Sequence, residues 1–253
     1  MAPGFYDVLL GAVITLQATA LAYLHQPRWK ALILTLPFPF TIASLAVGRP
    51  IDATNVLGLV LLLVFTNAVR LMHHSLKLPI FAAITAGILL YCGLGIWLAP
   101  LVPSTSPMFW ASTVFVLLLA AGVLRLMPPR DEPGHRTPLP LWIKLPLIAA
   151  VVLGIVLLKH RLQGFLTFFP MVGVFAAYEA RHSLWTMSRQ IAVIMLTMPS
   201  LITACFLAQN FWGLEVGLAI GWVAFGATLW LWQCWENATR TRSTVQREDL
   251  LKN

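Results

Sequence analysis

A chain whose apolar residues come in successive stretches of about twenty has one way to fold: each stretch crosses a bilayer as a helix. Nine such stretches can be read here, near 7–24, 30–48, 55–73, 78–99, 108–127, 141–158, 163–180, 190–208 and 212–235. The separators are short and polar or proline-bearing, among them His25-Gln26-Pro27-Arg28, Gly48-Arg49-Pro50-Ile51-Asp52, His73-His74 and Val102-Pro103-Ser104. The longest, Pro128 to Pro140, carries Arg130, Asp131, Glu132, His135 and Arg136 and is too short for a soluble domain. Of 253 residues 59% are hydrophobic and 10% charged, and mean hydropathy is +0.82. Soluble proteins carry about 25% charged residues and have no interior large enough to hide so much apolar surface. Soluble enzyme, disordered, collagen-like and disulfide-scaffold classes are excluded.

Nine spans put the termini on opposite sides, and the basic residues orient them. Loops on the C-terminal side hold Arg28, Lys30, Arg70, Lys77, Arg125, Arg130, Arg136, Lys144, Arg181 and Arg189, and the tail adds Arg240, Arg242, Arg247 and Lys252. The other side holds only Arg49, Lys159 and Arg161. A split of 14 to 3 is a strong positive-inside signal, placing the N-terminus outside and the C-terminus inside. It also accounts for the net charge of +8 without nucleic acid, since no basic run is interleaved with aromatics. Asp7 and the lack of a basic n-region speak against a cleaved signal. Trp97, Trp142, Trp230, Trp232 and Trp235 sit near span ends, as an interfacial aromatic belt requires. Cys92, Cys205 and Cys234 fall in or at the end of apolar runs without CxxC spacing and read as buried, non-catalytic thiols.

Two segments repeat. Arg28-Trp29-Lys30-Ala31-Leu32-Ile33-Leu34-Thr35-Leu36-Pro37 and Arg161-Leu162-Gln163-Gly164-Phe165-Leu166-Thr167-Phe168-Phe169-Pro170 both begin with Arg and reach a proline nine residues on. Each carries a Leu-Thr pair between and an Arg at the far end, Arg49 or Arg181. Arg and Pro align at an offset of 133, Leu-Thr and the distal Arg at 132. The segments occupy spans 2 and 7, which enter from opposite sides. Two four-span units of opposite orientation joined by one extra crossing are related by a pseudo-twofold axis in the membrane plane. The expected fold is therefore an all-α polytopic membrane protein with two inverted four-helix repeats and a central linker helix. Residues 1–103 form the first repeat, 104–140 the linker helix and cytoplasmic loop, 141–236 the second repeat, and 237–253 a basic cytoplasmic tail. Pro37, Pro39 and Pro170 are expected helix breaks, because proline removes a backbone donor and clashes with the carbonyl four residues back. In lipid the freed carbonyl needs a partner inside the protein, so such a break faces a bundle interior or a cavity.

The stretch Leu166-Thr167-Phe168-Phe169-Pro170-Met171-Val172-Gly173-Val174-Phe175-Ala176-Ala177-Tyr178, with Arg181 and a Trp-rich final span, resembles the GlpM family of small bacterial inner-membrane proteins. The opening Leu9-Leu10-Gly11-Ala12-Val13 through the Pro37 segment is similar to that family's N-terminal half. The resemblance implies a tandem, inverted duplication of a four-span unit and a multi-pass location in a bacterial inner membrane. It implies no biochemical activity.

An ionisable group in hydrocarbon costs roughly 2.5–3.5 kcal/mol and marks a functional site by default. None of the nine acidic residues falls at a midplane, which argues against a carboxylate proton relay. Glu179, one turn from Arg181 and His182, suits an interfacial ion pair or, with Arg161, a gate. Arg49 and Arg181 end the two repeat helices on opposite faces, and a guanidinium holds phosphate or carboxylate through two parallel hydrogen bonds. Thr35 and Thr167 would contact a substrate between the prolines, with Asn67 and Ser200 as further polar mid-span groups. Gln17, Thr197 and Thr203 share that setting, where interhelical hydrogen bonding is the ordinary role. His73-His74 point about 100° apart on a helix and lack an i,i+4 partner, which argues against metal. With no phosphate loop, Ser/His/Asp set or HExxH, neither catalysis nor a cofactor has support.

The leading expectation is a transporter or flippase for a small anionic or phosphate-bearing substrate, including a lipid-linked one, working by alternating access as a monomer or small homo-oligomer. One rival is a non-transporting scaffold of an envelope-polymer synthesis or export complex. Another is an intramembrane enzyme on a lipid headgroup, with His73, His74 and Glu179 its only candidates.

Overall fold

The computed structural model describes residues 4–23, 33, 35–130, 132 and 161–252, with backbone alone at 18, 21–23 and 235–252. The expected sixth span at 141–158, most of the 128–140 loop, and Arg28, Lys30, Arg136, Lys144 and Lys159 lie outside the described residues.

The described chain is helical, without strands. In order come α1 (Phe5–Tyr23), α2 (Phe38–Val47), α3 (Ala53–His74), α4 (Ile80–Leu98), α5 (Ser106–Leu126), a 3-10 turn (Gln163–Phe168), α6 (Met171–Glu179) and α7 (Leu184–Lys252). Helices α3, α4, α5 and the Leu184–Cys234 part of α7 are long and apolar enough to cross a membrane, and Phe5–Gln17 and Phe38–Val47 are shorter apolar helices. These are the helices of a multi-pass membrane protein. Nine spans is a finer count than they give.

The punctuation is local chemistry. Gly48 ends α2 in the left-handed conformation (φ 64°, ψ 24°), its N–H donating to the Ser44 carbonyl, a conformation glycine adopts without penalty. Asp52 caps α3 by accepting from the Thr54 N–H at 2.8 Å, while Asn55 Oδ1 accepts from the Asp52 N–H at 2.9 Å. Ser104 reaches across to donate to the second Asp52 oxygen at 2.9 Å. Pro79 precedes α4, and Pro107 sits in the first turn of α5, where its missing donor costs nothing.

The chain divides into two compact units, Met1–Pro199 and Ser200–Asn253. In the first unit α3 is the central helix, touching α4, α5, the 3-10 turn and α6. Half of its apolar window is buried, against 33% in α4 and 28% in α5, so α4 and α5 present most of their apolar surface outward. Exposed Phe81, Trp97, Phe115 and Leu118 are the side chains a lipid-facing surface calls for.

The second unit turns on one residue. Gly213 is non-helical inside α7 (φ 81°, ψ 173°), a backbone state that L side chains rarely adopt. The chain folds back on itself there. A Cβ built on Gly217 would lie 3.2 Å from the Cys205 carbonyl oxygen, and one on Gly221 2.8 Å from that of Leu201. Gly213, Gly217 and Gly221 recur every four residues, the spacing that lets two helix backbones touch in lipid. The expected spans at 190–208 and 212–235 fall on either side of this break.

Candidate functional site: a cavity between two proline breaks

Neither repeat segment is a continuous helix. Pro37 interrupts the first with φ −82° and ψ 24°, and α2 starts at the next residue. Pro170 interrupts the second with φ −72° and ψ 50°, and α6 starts at the next residue. The two prolines thus hold nearly the same non-helical conformation. Beyond each, the helix resumes through a bond to the proline carbonyl, from Thr41 N–H at 3.0 Å and from Val174 N–H at 2.8 Å.

Each break frees a carbonyl from its α-helical partner, and a distant side chain bonds to each. Pro37 has no N–H for the carbonyl of Ile33, four residues back, which keeps only a long 3-10 bond from Leu36 N–H at 3.3 Å. Gln17 Nε2, from α1, donates to that oxygen at 2.5 Å. In the second segment Phe169 N–H turns to Leu166 in 3-10 fashion at 3.0 Å, releasing the Phe165 carbonyl from its α-helical partner. The hydroxyl of Tyr91, from α4, donates to it at 2.8 Å. Gln17 and Tyr91 are both buried.

The 3-10 turn packs on α2, whereas α6, beyond the break, packs on α1. Phe40 and Phe168 rings meet at 4.9 Å on the α2 side. Gly164 sits so close to the start of α3 that a Cβ would meet Thr54 Oγ1 and lie 2.8 Å from Asn55 Oδ1.

Where the breaks cross lies a cavity of about 70 Å³. Its walls are Thr35, Leu36, Pro37, Pro39 and Phe40 from the first segment and Thr167 to Gly173 from the second. Leu62 of α3 and Ile191, Ile194 and Met198 of α7 close it, the last three on one face of their helix. The side chains are apolar apart from Thr35 and Thr167, both buried. Each threonine is held by an amide. Asn55 Nδ2 donates to Thr167 Oγ1 at 3.3 Å, and Thr167 donates in turn to the Gly164 carbonyl at 2.7 Å. Gln190 Nε2 donates to Thr35 Oγ1 at 2.6 Å. The first turns of α2 and α6 open on this space, and helix N-termini carry partial positive charge.

The other expected site residues lie elsewhere. Arg49 is exposed two residues past α2. Arg181 stands two residues past α6, partly exposed, 5.2 Å over the Tyr178 ring, its Nε donating to His182 Nε2 at 3.2 Å. Both therefore follow helix C-termini, where a cation complements the carbonyl ends, and neither lines the cavity. Glu179 is the buried last residue of α6, and Arg161 is exposed ahead of the 3-10 turn. Asn67 bonds back to the Leu63 carbonyl at 3.0 Å on its own helix and is not part of the wall. Ser200 opens the second unit. His73 Nδ1 lies 2.9 Å from the Leu78 carbonyl, tying the α3–α4 turn. Among the described residues no group of three His, Cys, Asp or Glu side chains could hold a metal.

No protein-family model, curated protein or solved structure matches the chain.

Asn55, Gln190 and Tyr91 are the residues that sequence reasoning passed over. Asn55 belongs to the start of α3, where its Oδ1 serves the Asp52 cap. That cap is also what aims its Nδ2 at Thr167.

Proposed function

We propose that the chain is a membrane carrier in which a small anionic or phosphate-bearing substrate passes between two inverted repeats by alternating access. One observation carries this reading: the proline breaks of the two repeat segments share a single cavity. Discontinuous helices crossing at mid-depth are how secondary transporters place helix ends against a substrate. Non-helical backbone in lipid is tolerated where it lines such a space. The cavity offers no side-chain charge, so a negative group there is held by the N-terminal ends of α2 and α6 together with the hydroxyls of Thr35 and Thr167. In this reading Arg49 and Arg181 capture substrate at the two mouths, Glu179 and Arg161 are gate residues, and Asn67 and Ser200 flank the route. The repeats are GlpM-like units in a bacterial inner membrane with the N-terminus outside.

Native mass spectrometry of the purified protein tests it. Inorganic phosphate and an anionic phospholipid are titrated separately into wild type and into Thr35→Val, Thr167→Val. Saturable adducts that weaken at least tenfold in the double variant are expected, and which ligand binds separates a free anion from a lipid headgroup. Adducts of equal strength in both proteins, or none in either, would move the assignment to a scaffold that holds an envelope-polymer synthesis complex together.

A further inference from the structure

The two amide–threonine bonds are exchanged between the halves. Asn55 stands eighteen residues after Pro37, and Gln190 twenty after Pro170, each early in the second helix after its own break. Asn55 nevertheless donates to the threonine ahead of Pro170, and Gln190 to the threonine ahead of Pro37. Each half lends its amide to the hydroxyl of the other, the reciprocal pattern of a twofold contact.

The bonds also lie on opposite sides of the cavity. Thr167 lies near the end of the 3-10 turn that packs on α2, next to the Asp52 cap and the Arg49 end. Thr35 precedes Pro37 and is held from α7 by Gln190, five residues after Trp185, whose ring lies under Arg70 near the far end of α3 and whose N–H donates to the Pro128 carbonyl at 3.0 Å. Asn55 has no freedom to leave alone, because its Oδ1 is bound into the α3 cap. Breaking its bond to Thr167 therefore means moving the start of α3 away from the 3-10 turn. Gly164, at backbone contact with Asn55, makes that surface flush, so the same movement opens the cavity toward Arg49.

We infer that Asn55–Thr167 and Gln190–Thr35 are the two gates of the carrier, each a single amide-to-hydroxyl clasp closing the cavity toward one face. The inference rests on the carrier reading. Opening one clasp at a time exposes the threonines alternately, while opening both would leave a continuous path.

The test is sided labelling in oriented proteoliposomes of phosphatidylcholine. Cys92, Cys205 and Cys234 are replaced by alanine and Ile194→Cys provides a reporter in the cavity wall. A membrane-impermeant thiol reagent is applied from each face. Asn55→Leu is expected to raise labelling from the Arg49 face roughly two- to tenfold, the scale of one buried hydrogen bond, and Gln190→Leu from the Arg181 face by a similar factor. Thr167→Val and Thr35→Val, which keep the side-chain volume, should reproduce the respective effects where the amide variants fold poorly. Gains on the same face for both pairs, or no gain in either valine variant, would overturn the assignment. Inorganic phosphate or added anionic lipid, tested as a protectant of the reporter, separates the two claims: opposite-sided gains without protection would keep the clasps and remove the anionic substrate.

Discussion

Gln17 Nε2 lies 2.5 Å from the carbonyl oxygen of Ile33, the oxygen that Pro37 leaves without its helical partner. A side chain from α1 thus completes a hydrogen bond that proline deleted from the neighbouring segment. Removing it leaves that half-buried carbonyl with only the long bond from Leu36 N–H, at a cost of about 0.5–1.5 kcal/mol. Gln17→Leu should accordingly lower the thermal midpoint in detergent. Pro37→Ala restores a backbone N–H, so in that background the same substitution should cost much less. A double-mutant cycle measures the coupling, and additive effects would show that Gln17 is not serving the break.

Tyr91 makes the matching prediction on the second segment. Its hydroxyl serves the Phe165 carbonyl at 2.8 Å, and its ring packs edge-on against Phe169 at 5.3 Å. Tyr91→Phe keeps the ring and deletes the donor. The expected loss is about 1–2 kcal/mol, read as a lower melting temperature. Tyr178→Phe, on a half-buried residue with its ring against Phe81, should cost less.

Glycines at equal sequence prominence should respond in opposite ways. Gly164→Ala drives a methyl into Thr54 and Asn55 and is expected to cost at least about 1–3 kcal/mol as overpacking. Gly122, inside α5, has nothing within 4 Å of its would-be Cβ. Gly122→Ala should be neutral or stabilising by up to about 1 kcal/mol, because alanine is the better helix former. Thermal unfolding of the two variants side by side decides.

In the second unit, Gly221→Leu should open the hairpin, since even a Cβ there comes within 2.8 Å of the Leu201 carbonyl. Gly226, with nothing within 4 Å, should accept alanine without loss. Disulfide trapping between cysteines placed at 204 and 218 reports the hairpin directly. Cross-linking that survives Gly221→Leu unchanged would contradict this packing.

Much of the architecture was legible because its signals are local. Apolar length marked α3, α4 and α5 to within two residues, and prolines marked both breaks. Asp52 and Gly48 could be read as punctuation from their own side chains and neighbours. The site was legible by halves. Thr35 and Thr167 stood out through the repeat, which is a property of sequence. Their partners did not, because which amide reaches which hydroxyl depends on how two segments cross, and spacing along one chain does not encode a crossing. Asn67 illustrates the limit: as a mid-span amide it looked like a wall residue, yet its helix turns it onto its own backbone at Leu63. Arg49 was conspicuous for standing against the positive-inside trend, and its place after the C-terminus of α2 supplies a local electrostatic reason. The glycine stripe at 213, 217 and 221 was present in the sequence and could have announced the hairpin.

The exchanged clasps also set an order of events during synthesis. Thr35 is made 155 residues before the Gln190 that binds it, and Asn55 is made 112 residues before Thr167. Until the second half is made, those polar groups cannot meet the partners they have in the folded chain. Walls that need both halves form after local helices have settled, as contacts of long sequence separation do. The space between the breaks is thus the last region of the first unit to close, and a chain stalled before residue 190 reaches the membrane with Thr35 lacking the amide it was built to meet.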